Sequence, residues 1–438
     1  MSTARLPTDR EVWRIAAPMI LSNISVPLLG MVDTGVVGHL DGPAYLGAVA
    51  IGATIFTFIY TGMNFLRMGT TGIAAQAFGA DDRSGVRASL GQALIVSLLI
   101  ALSLIALQVP IGRFALAILG GEPATQGFAA EYFRIRIWSA PGTLANFAII
   151  GWFIGLQNAR APLAIFLTIN FVNIVLDLVF VLMLGMKVDG VALASVIAEY
   201  SGLVVGTVLV IRELRHHGDS WPLERLTNVA AYKAFFSVNG NIFIRTIALL
   251  TAFSFVTAWG ARLGPLVLAA NAVLMNFQML ASLGLDGIAH AAEALVGKAI
   301  GEKRRDALER AVNLTLKWSA IFAVGFTLAF LLGGKWIIVL LTDLEDVRAT
   351  AYTYLPWLIV SPLISVWCFL YDGVFIGATR AKEMRNVMVV SLLLIFFPTW
   401  YLTTSFGNHG LWFAFTAFIA SRGIGMHIIY RRKVLPSV

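Results

Sequence analysis

Charged side chains are scarce in this sequence, and their scarcity excludes an ordinary soluble protein. Only 13% of the 438 residues are charged and 58% are apolar, whereas about a quarter of the residues in a soluble domain carry a charge. Cysteine is nearly absent, because Cys368 is the single one, so no internal disulfide can form. Runs of strict polar–apolar alternation, which a membrane β-barrel requires, are also lacking. The composition therefore predicts an all-helical integral membrane protein.

Twelve apolar segments are each long enough to cross about 30 Å of hydrocarbon as a helix. Several exceed the length that a bilayer requires, which predicts tilted or kinked helices. No stretch between them is long enough for a sizeable soluble domain. The predicted spans are 11–38, 45–77, 88–111, 128–156, 162–186, 189–212, 232–260, 266–299, 311–333, 347–378, 386–405 and 409–430.

Basic residues are concentrated in every second loop of this arrangement. Segments such as "EKRRDALER" (302–310) lie on one side of the membrane. The other side receives only Arg113, Lys187, Arg262, Lys335 and Arg348. Because Lys and Arg accumulate in cytoplasmic loops, we expect both termini in the cytoplasm and the protein in the cytoplasmic membrane. The net charge of +8 then faces anionic lipid headgroups, and we expect no nucleic-acid partner.

The second half of the chain repeats the first at a constant offset, which aligns position 46 with position 268. An even number of spans in each half places both halves in the membrane in the same sense, as in transporters that rock one half against the other. We therefore predict two pseudo-symmetric six-helix bundles, 1–212 and 232–438, joined by a cytoplasmic linker, 213–231. The matching segments are "LGAVAIGATIF" (46–56) with "LAANAVLMNFQ" (268–278), "FGADDR" (78–83) with "IGEKRR" (300–305), and "FIGLQNAR" (153–160) with "FIGATRAK" (375–382).

Two carboxylates lie within apolar spans of the first half. Asp33, in "MVDTGVVGHL" (31–40), is about 7 Å below the outer end of its span, and Asp177 is about 12 Å below that of the fifth. Asn170, Asn173 and Asp177 share one helical face. Because a charge in hydrocarbon costs at least a few kcal/mol, these residues predict a water-filled cavity that binds a cation. The alternatives are that Asp33 caps the outer turn and that helix 5 carries an inert polar core.

Two prolines interrupt the first span. Pro18 and Pro27 each remove one backbone hydrogen bond and permit a bend. A bend that depends on the charge of Asp33 would connect protonation with the shape of the cavity. The alternative is that both prolines are packing kinks.

A second polar set lies in the other half of the chain. "DGIAHAAE" (286–293) places Asp286, His290 and Glu293 on one helical face, where they could bind a cationic substrate or transfer protons. The alternative is that they pair with Arg245 or Arg67. A metal site would lack a clear fourth ligand, so we expect no metal. Asp372 could take part in coupling or pair with Arg380 or Lys382, and Glu199 has no assigned role.

Several motifs in order resemble the multidrug and toxic compound extrusion (MATE) family, most closely its DNA-damage-inducible protein F (DinF) branch. The resemblance covers nearly the whole chain. It rests on "APMILSNISVPLLGMVDTGVVGHL", "RMGTTGIAAQAFGA", "GWFIGLQNARAP", "NFVNIVLD" and "YDGVFIGATRA".

The resemblance implies a rocker-switch exporter of amphipathic, often cationic compounds that takes up H⁺ or Na⁺ in exchange. It ties Asp33, Asn173 and Asp177 to cation coupling and Pro18 to bending of the first helix. It also matches Asp372 to an aspartate that the NorM-like branch uses for sodium. The sequence departs from that sodium pattern, because "NGNIFIRTIALL" offers Arg245 and no acid. We therefore favour protons over sodium.

The sequence thus predicts a cation-coupled efflux antiporter that acts as a monomer in the bilayer. We expect neither enzyme activity nor a cofactor, because no nucleophile spacing or phosphate loop is present. The closest alternative is a flippase for lipid-linked precursors, for which an extra pair of helices or a strongly cationic cleft would be expected. A channel would conduct without coupled counterflow, and a membrane enzyme would need a nucleophile or metal.

Overall fold

The computed structural model describes residues 6–37, 42–216 and 221–438, and within these ranges the chain is helical, with no β-strand. The helices are α1 (Asp9–Val37), α2 (Pro43–Met63), α3 (Phe65–Gly79), α4 (Arg83–Ala106), α5 (Gln108–Leu119), α6 (Pro123–Arg136), α7 (Ala140–Gly155), α8 (Arg160–Asp177), α9 (Val188–His216), α10 (Leu223–Thr227), α11 (Val229–Arg262), α12 (Pro265–Gly301), α13 (Arg305–Leu341), α14 (Glu345–Gly377), α15 (Ala381–Val390), α16 (Phe397–Leu402) and α17 (Asn408–Ile429). The predicted all-helical membrane fold is confirmed.

The membrane spans agree in number and order with the sequence. Eleven segments in the described chain are long and apolar enough to cross a bilayer, and they coincide with the second to twelfth predicted spans. The helix α1, which has 29 residues, covers residues 11–37 of the first predicted span, 11–38. At about 1.5 Å per residue this helix is longer than the hydrocarbon core is thick, so a tilt or a protruding end is expected.

Several spans are irregular, as their excess length predicts. The span Ala44–Gly79 is interrupted at Asn64, where α2 ends and α3 begins. Three others contain a stretch of π-helix, at Leu178–Met183, Ser391–Phe396 and Tyr430–Val434. The helix α14 contains two internal prolines, Pro356 and Pro362. Membrane helices tolerate such breaks where neighbouring groups satisfy the freed backbone atoms.

The chain forms two compact units, which we call the N unit and the C unit. The N unit is Leu21–Phe235, and the C unit is Met1–Ile20 together with Phe236–Val438. Residues up to Ile20 therefore group with the C unit, whereas the sequence-based boundaries assign them to the first lobe, 1–212. Within the C unit, Trp13 of α1 packs edge-on against Trp318 of α13, with ring centroids 5.0 Å apart.

The part of the predicted linker that the structure describes packs against the N unit. Leu226, on the short helix α10, lies over Gly91 of α4. The side chain of Gln92 donates to the main-chain oxygen of Arg225 at 3.0 Å. The Arg225 guanidinium pairs with Asp82 at 2.7 Å. These contacts pack α10 against α4 and the turn that precedes it.

The sequence repeat reappears in the backbone geometry. In the described part of the chain, four non-glycine residues have a left-handed φ, and they form two pairs at the offset of the repeat: Asp81 with Lys303, and Gln157 with Thr379. At each site the amide donates to the oxygen three residues earlier, and the next amide donates to the oxygen five residues before itself. This pattern is the Schellman ending of a helix. The two units therefore end corresponding helices in the same way.

Close helix packing repeats at the same offset. A Cβ on Gly151 of α7 would lie less than 3.0 Å from the main-chain oxygen of Arg67 on α3. A Cβ on Gly373 of α14 would lie equally close to the main-chain oxygen of Ala289 on α12. The second contact is the repeat equivalent of the first, because position 151 corresponds to 373 and position 67 to 289. Small residues at such points allow membrane helices to approach closely.

Candidate functional site

The predicted polar face of α8 is buried inside the N unit. Asp177 is 0% exposed, and Asn170 and Asn173 are 7% and 3% exposed. The Asn173 Nδ2 donates to Asp177 Oδ2 at 2.9 Å, and the Asn170 Nδ2 donates to Ser25 Oγ at 2.7 Å. The structure therefore brings Asn173 and Asp177 together, and it connects Asn170 to α1. An amide donor stabilises a carboxylate that is buried within a membrane helix.

The remaining predicted residues of this site lie on α1. Pro18, Pro27 and Asp33 all fall within the helix Asp9–Val37. The side chains of Pro27 and Asp33 lie outside the described residues, so the predicted cation-binding cavity that Asp33 shares with the α8 residues stays a prediction. The same holds for a bend that responds to protonation.

A partly buried polar network around Glu199 was not recognised from the sequence. The Asn146 Nδ2 of α7 donates to both the main-chain oxygen of Glu199, at 2.9 Å, and its Oε2, at 3.1 Å. Arg136 interacts with the same carboxylate electrostatically. Asn146 is an isolated polar residue in an apolar stretch. A single amide gives no periodic pattern, so the sequence does not indicate its partner on the distant helix α9. The intramembrane position of Glu199 was the available signal.

A cavity of about 440 Å³ lies within the N unit. Its aromatic wall includes Phe56 and Tyr132, and the guanidinium of Arg136 lies 5.6 Å and 5.8 Å from the centroids of these two rings. The Tyr60 hydroxyl, also in the lining, is 2.7 Å from Ser139 Oγ. The described residues that line it are Gly30, Ala53, Phe56, Thr57, Tyr60, Thr61, Asn64, Tyr132, Arg136 and Phe147. Such a mixture of rings and a few polar groups suits an amphipathic ligand.

An arginine-rich cluster lies within the C unit. Arg245 of α11 and Arg422 of α17 both contact the Oδ2 of Asp372 on α14, the latter at 3.1 Å. Asp372 is therefore paired with these two arginines rather than with Arg380 or Lys382. Arg380 instead lies 3.6 Å from Glu383. The sequence singled out Arg245 and Asp372 but not Arg422, which lies in a terminal helix without any neighbouring acid.

A second cavity, of about 340 Å³, is formed beside this cluster. Its polar lining includes Arg245, Asp372 and Arg422. The rest of the lining is mostly aromatic, aliphatic or sulfur-containing: Leu249, Phe253, Met275, Gln278, Met279, Ser282, Ser365, Cys368, Phe369, Phe415, Phe418 and Ile419. The cavity is therefore mostly apolar, and its wall includes one cluster of charged side chains.

The other predicted C-unit residues are outside this lining. The His290 Nδ1 is 3.3 Å from Glu293 Oε1, and both side chains are buried. Asp286 interacts electrostatically with Arg245. The expected pairing of these residues with Arg245 or Arg67 therefore stays a prediction.

Comparison with known proteins decides the family. The MatE family profile matches residues 18–179 and 242–402, which is more than half of the chain and one match in each half. The chain belongs to the MATE family. Members of this family are transporters rather than enzymes, so the predicted class is confirmed, and the protein is a multi-pass membrane protein.

The MATE family assignment agrees with similarity to individual proteins. DNA damage-inducible protein F of Escherichia coli (strain K12) is 42% identical over 430 residues, covering 97% of this chain and 92% of the relative. A probable multidrug resistance protein NorM of Bradyrhizobium diazoefficiens is 23% identical, with coverages of 93% and 89%. A crystal structure of MATE in complex with MaD3S superposes with a TM-score of 0.89 at 20% identity, covering 98% and 97% of the two chains. This last similarity establishes the MATE fold.

Proposed function

We propose that this MATE transporter is a proton-coupled antiporter that exports amphipathic compounds, including the cationic ones that the family resemblance implies. The observation that carries the proposal is the fully buried carboxyl group of Asp177, hydrogen-bonded to Asn173 within a membrane helix. An ionised carboxylate at this depth is costly, and a bound proton removes the charge. Asp177 can therefore take up and release a proton in a cycle. Drug binding can compete with the uptake of that proton.

Coupling requires that the protonated and ionised states differ in their affinity for cargo. In the proposed cycle, protonation of Asp33 and Asp177 from the outside lowers the affinity of the N unit for cargo. Deprotonation towards the cytoplasm restores it. Asn170 and Asn173 position the polar face, and Pro18 and Pro27 allow α1 to bend.

The choice of protons over sodium is supported by the C unit. Sodium binding needs several oxygen ligands with available negative charge. Asp372, which the family resemblance connects with sodium, already contacts the two guanidinium groups of Arg245 and Arg422. A further cation there would have to displace an arginine, so we place coupling in the N unit.

The test is dye efflux from proteoliposomes under an imposed proton gradient or an imposed sodium gradient. We expect efflux with the proton gradient alone, and its loss in both Asp177→Asn and Asp33→Asn. Asp343→Asn is the matched control, because Asp343 is fully exposed. Full proton-driven efflux by Asp177→Asn would overturn the coupling proposal. Lipid transfer without any gradient response would favour the flippase.

We also propose that both termini are cytoplasmic and that the chain acts as a monomer in the inner membrane. Cysteine labelling tests the orientation, because the single native Cys368 is buried. In a Cys368→Ser background, Lys335→Cys should react with an impermeant maleimide added to whole cells, whereas Lys303→Cys should react only after lysis. The reverse pattern would overturn the proposed orientation, and native mass spectrometry in detergent tests the monomer.

A further inference from the structure

The cavity of the C unit contains more positive than negative groups in its wall. Arg245 and Arg422 contribute two guanidinium groups, and Asp372 contributes one carboxylate. Both arginine side chains are more than nine-tenths buried. Arginine remains protonated in proteins, so burial does not remove these charges.

Hydrogen bonding within the cluster is incomplete. Both arginines use an Nη2 group on the same oxygen, Oδ2 of Asp372. The Nε groups of Arg245 and Arg422 and the Oδ1 of Asp372 are buried without a hydrogen-bond partner. A single carboxylate therefore does not satisfy the two guanidinium groups, and buried donors without partners are costly.

One further acid influences the cluster from outside the cavity. Asp286 of α12 interacts electrostatically with Arg245 but does not belong to the lining. The buried His290 and Glu293 of the same helix contact each other. Neither Asp286 nor Glu293 contributes an oxygen to the cavity wall. A ligand in the cavity is therefore exposed to two guanidinium groups and one carboxylate.

The rest of the wall suits an apolar ring system. Phe253, Phe369 and Phe415 provide aromatic surfaces, and Met275 and Met279 provide flexible thioethers that adapt to different shapes. A volume of about 340 Å³ falls at the lower end of the range for small-molecule sites. The wall can therefore accept a body of one or two fused rings.

We propose that this cavity binds amphipathic organic anions, with an aromatic body against the Phe and Met side chains and a carboxylate or sulfonate on Arg245 and Arg422. A planar guanidinium pairs well with the two oxygens of such a group. Export of these anions rests on the proposed transport function. Their binding does not, because it needs no gradient.

The binding test uses the purified full chain in nanodiscs of neutral lipid, without a gradient. Isothermal titration calorimetry compares 1-naphthaleneacetate with 1-naphthylethylammonium, which share a ring system and differ in charge; empty nanodiscs provide the partitioning background. We expect the anion to bind at least tenfold more tightly. Arg422→Gln should weaken anion binding by about tenfold or more, since it removes a charged hydrogen-bonding partner. Asp372→Asn should strengthen it several-fold, because the competing carboxylate is neutralised.

Two controls separate binding from misfolding. Arg262→Gln makes the same substitution at an exposed arginine of the C unit and should leave binding unchanged. Met279→Trp fills the cavity without altering its charge and should abolish binding. Tighter binding of the cation than of the anion, together with weaker cation binding in Asp372→Asn, would overturn the proposal. So would anion binding that is unchanged in all three cavity variants, Arg422→Gln, Asp372→Asn and Met279→Trp. Because no gradient is applied, failure of proton coupling at Asp177 would leave these results unaffected.

Discussion

Gly151 lies so close to Arg67 that a Cβ at position 151 would be less than 3.0 Å from the main-chain oxygen of Arg67. The same relationship joins Gly373 to Ala289, at the equivalent positions of the second half of the chain. Each contact lies inside one unit and brings two helices together at a point where no side chain fits. The repeat is therefore a constraint on packing as well as a similarity between sequences.

Alanine at either glycine should destabilise the protein. Because the contact is with backbone, which cannot rotate away, we expect Gly151→Ala and Gly373→Ala each to lose about 1–3 kcal/mol through overpacking. Gly325→Ala is the matched control, since a Cβ there meets nothing within 4 Å, and alanine should gain up to about 1 kcal/mol in a helix. Thermal unfolding in detergent measures the difference. Equal stability of Gly373→Ala and Gly325→Ala would contradict the packing constraint.

Lys303→Gly should stabilise the protein. Lys303 is exposed and has a φ of 54° at the end of α12. A left-handed backbone costs a residue with a side chain about 1–2 kcal/mol, and glycine avoids this cost. Lys303→Ala removes the same charge but keeps the strain, so it should show no gain. The melting temperatures of the two variants give the comparison, and an equal rise in both would point to the charge instead.

The linker contact should respond to pH in a defined direction. Partial burial of Asp82 opposes its ionisation, but hydrogen bonds from Arg225 and the Gly85 amide outweigh this effect and lower the pKa of the carboxyl. A lowered pKa in the folded state gives stability that is present above the unfolded pKa, about 3.9, and is lost as pH falls through the folded pKa. We expect the effect to be small because the pair is solvent-exposed.

Asp82→Asn measures this contribution, since asparagine can still cap α4 but carries no charge. The wild type should melt at a higher temperature than Asp82→Asn at pH 6, and the difference should shrink as the pH falls below about 4. Glu224→Gln, at an exposed position of α10, should show no such change. A difference that grows towards low pH would reverse the assigned sign.

A buried amide network in the C unit should be important for stability. Asn271 and Asn408 exchange two hydrogen bonds of 2.9 Å, and the Trp412 indole donates to Asn271 Oδ1 at 3.0 Å. Asn271→Ala leaves buried partners unsatisfied and should cost at least about 1–3 kcal/mol. Asn276→Ala, on the same helix but exposed and bonded to its own backbone, should change stability by less than about 0.5 kcal/mol. Similar unfolding curves for both variants would show that the network contributes little.

Sequence reasoning succeeded where the physical signal is local. The number and order of the membrane helices follow from apolar runs, because the bilayer sets the minimum length of each run. The repeat was visible because segments such as "FGADDR" and "IGEKRR" retain the same helix ending. Helical periodicity placed Asn170, Asn173 and Asp177 on one face, and this face is buried in the structure.

Sequence reasoning failed for hydrogen bonds and ion pairs whose partner lies on a distant helix. Asp372 lies 50 residues from Arg422 and 127 residues from Arg245, and the sequence offered only the nearby Arg380 and Lys382 as partners. Glu199 and Asn146 are 53 residues apart. Periodicity states which face of a helix is polar, but it does not state which helix that face will meet.

The sequence by itself determined that this protein lies in a membrane, that it is helical and duplicated, and that acids are buried in its first half. Those properties depend on the hydrophobicity and spacing of residues near one another in the chain. Only the tertiary structure decided that two arginines surround Asp372 beside an apolar cavity, and that Glu199 has a buried amide partner. Such pairings depend on helix packing, which brings together side chains that no local pattern connects.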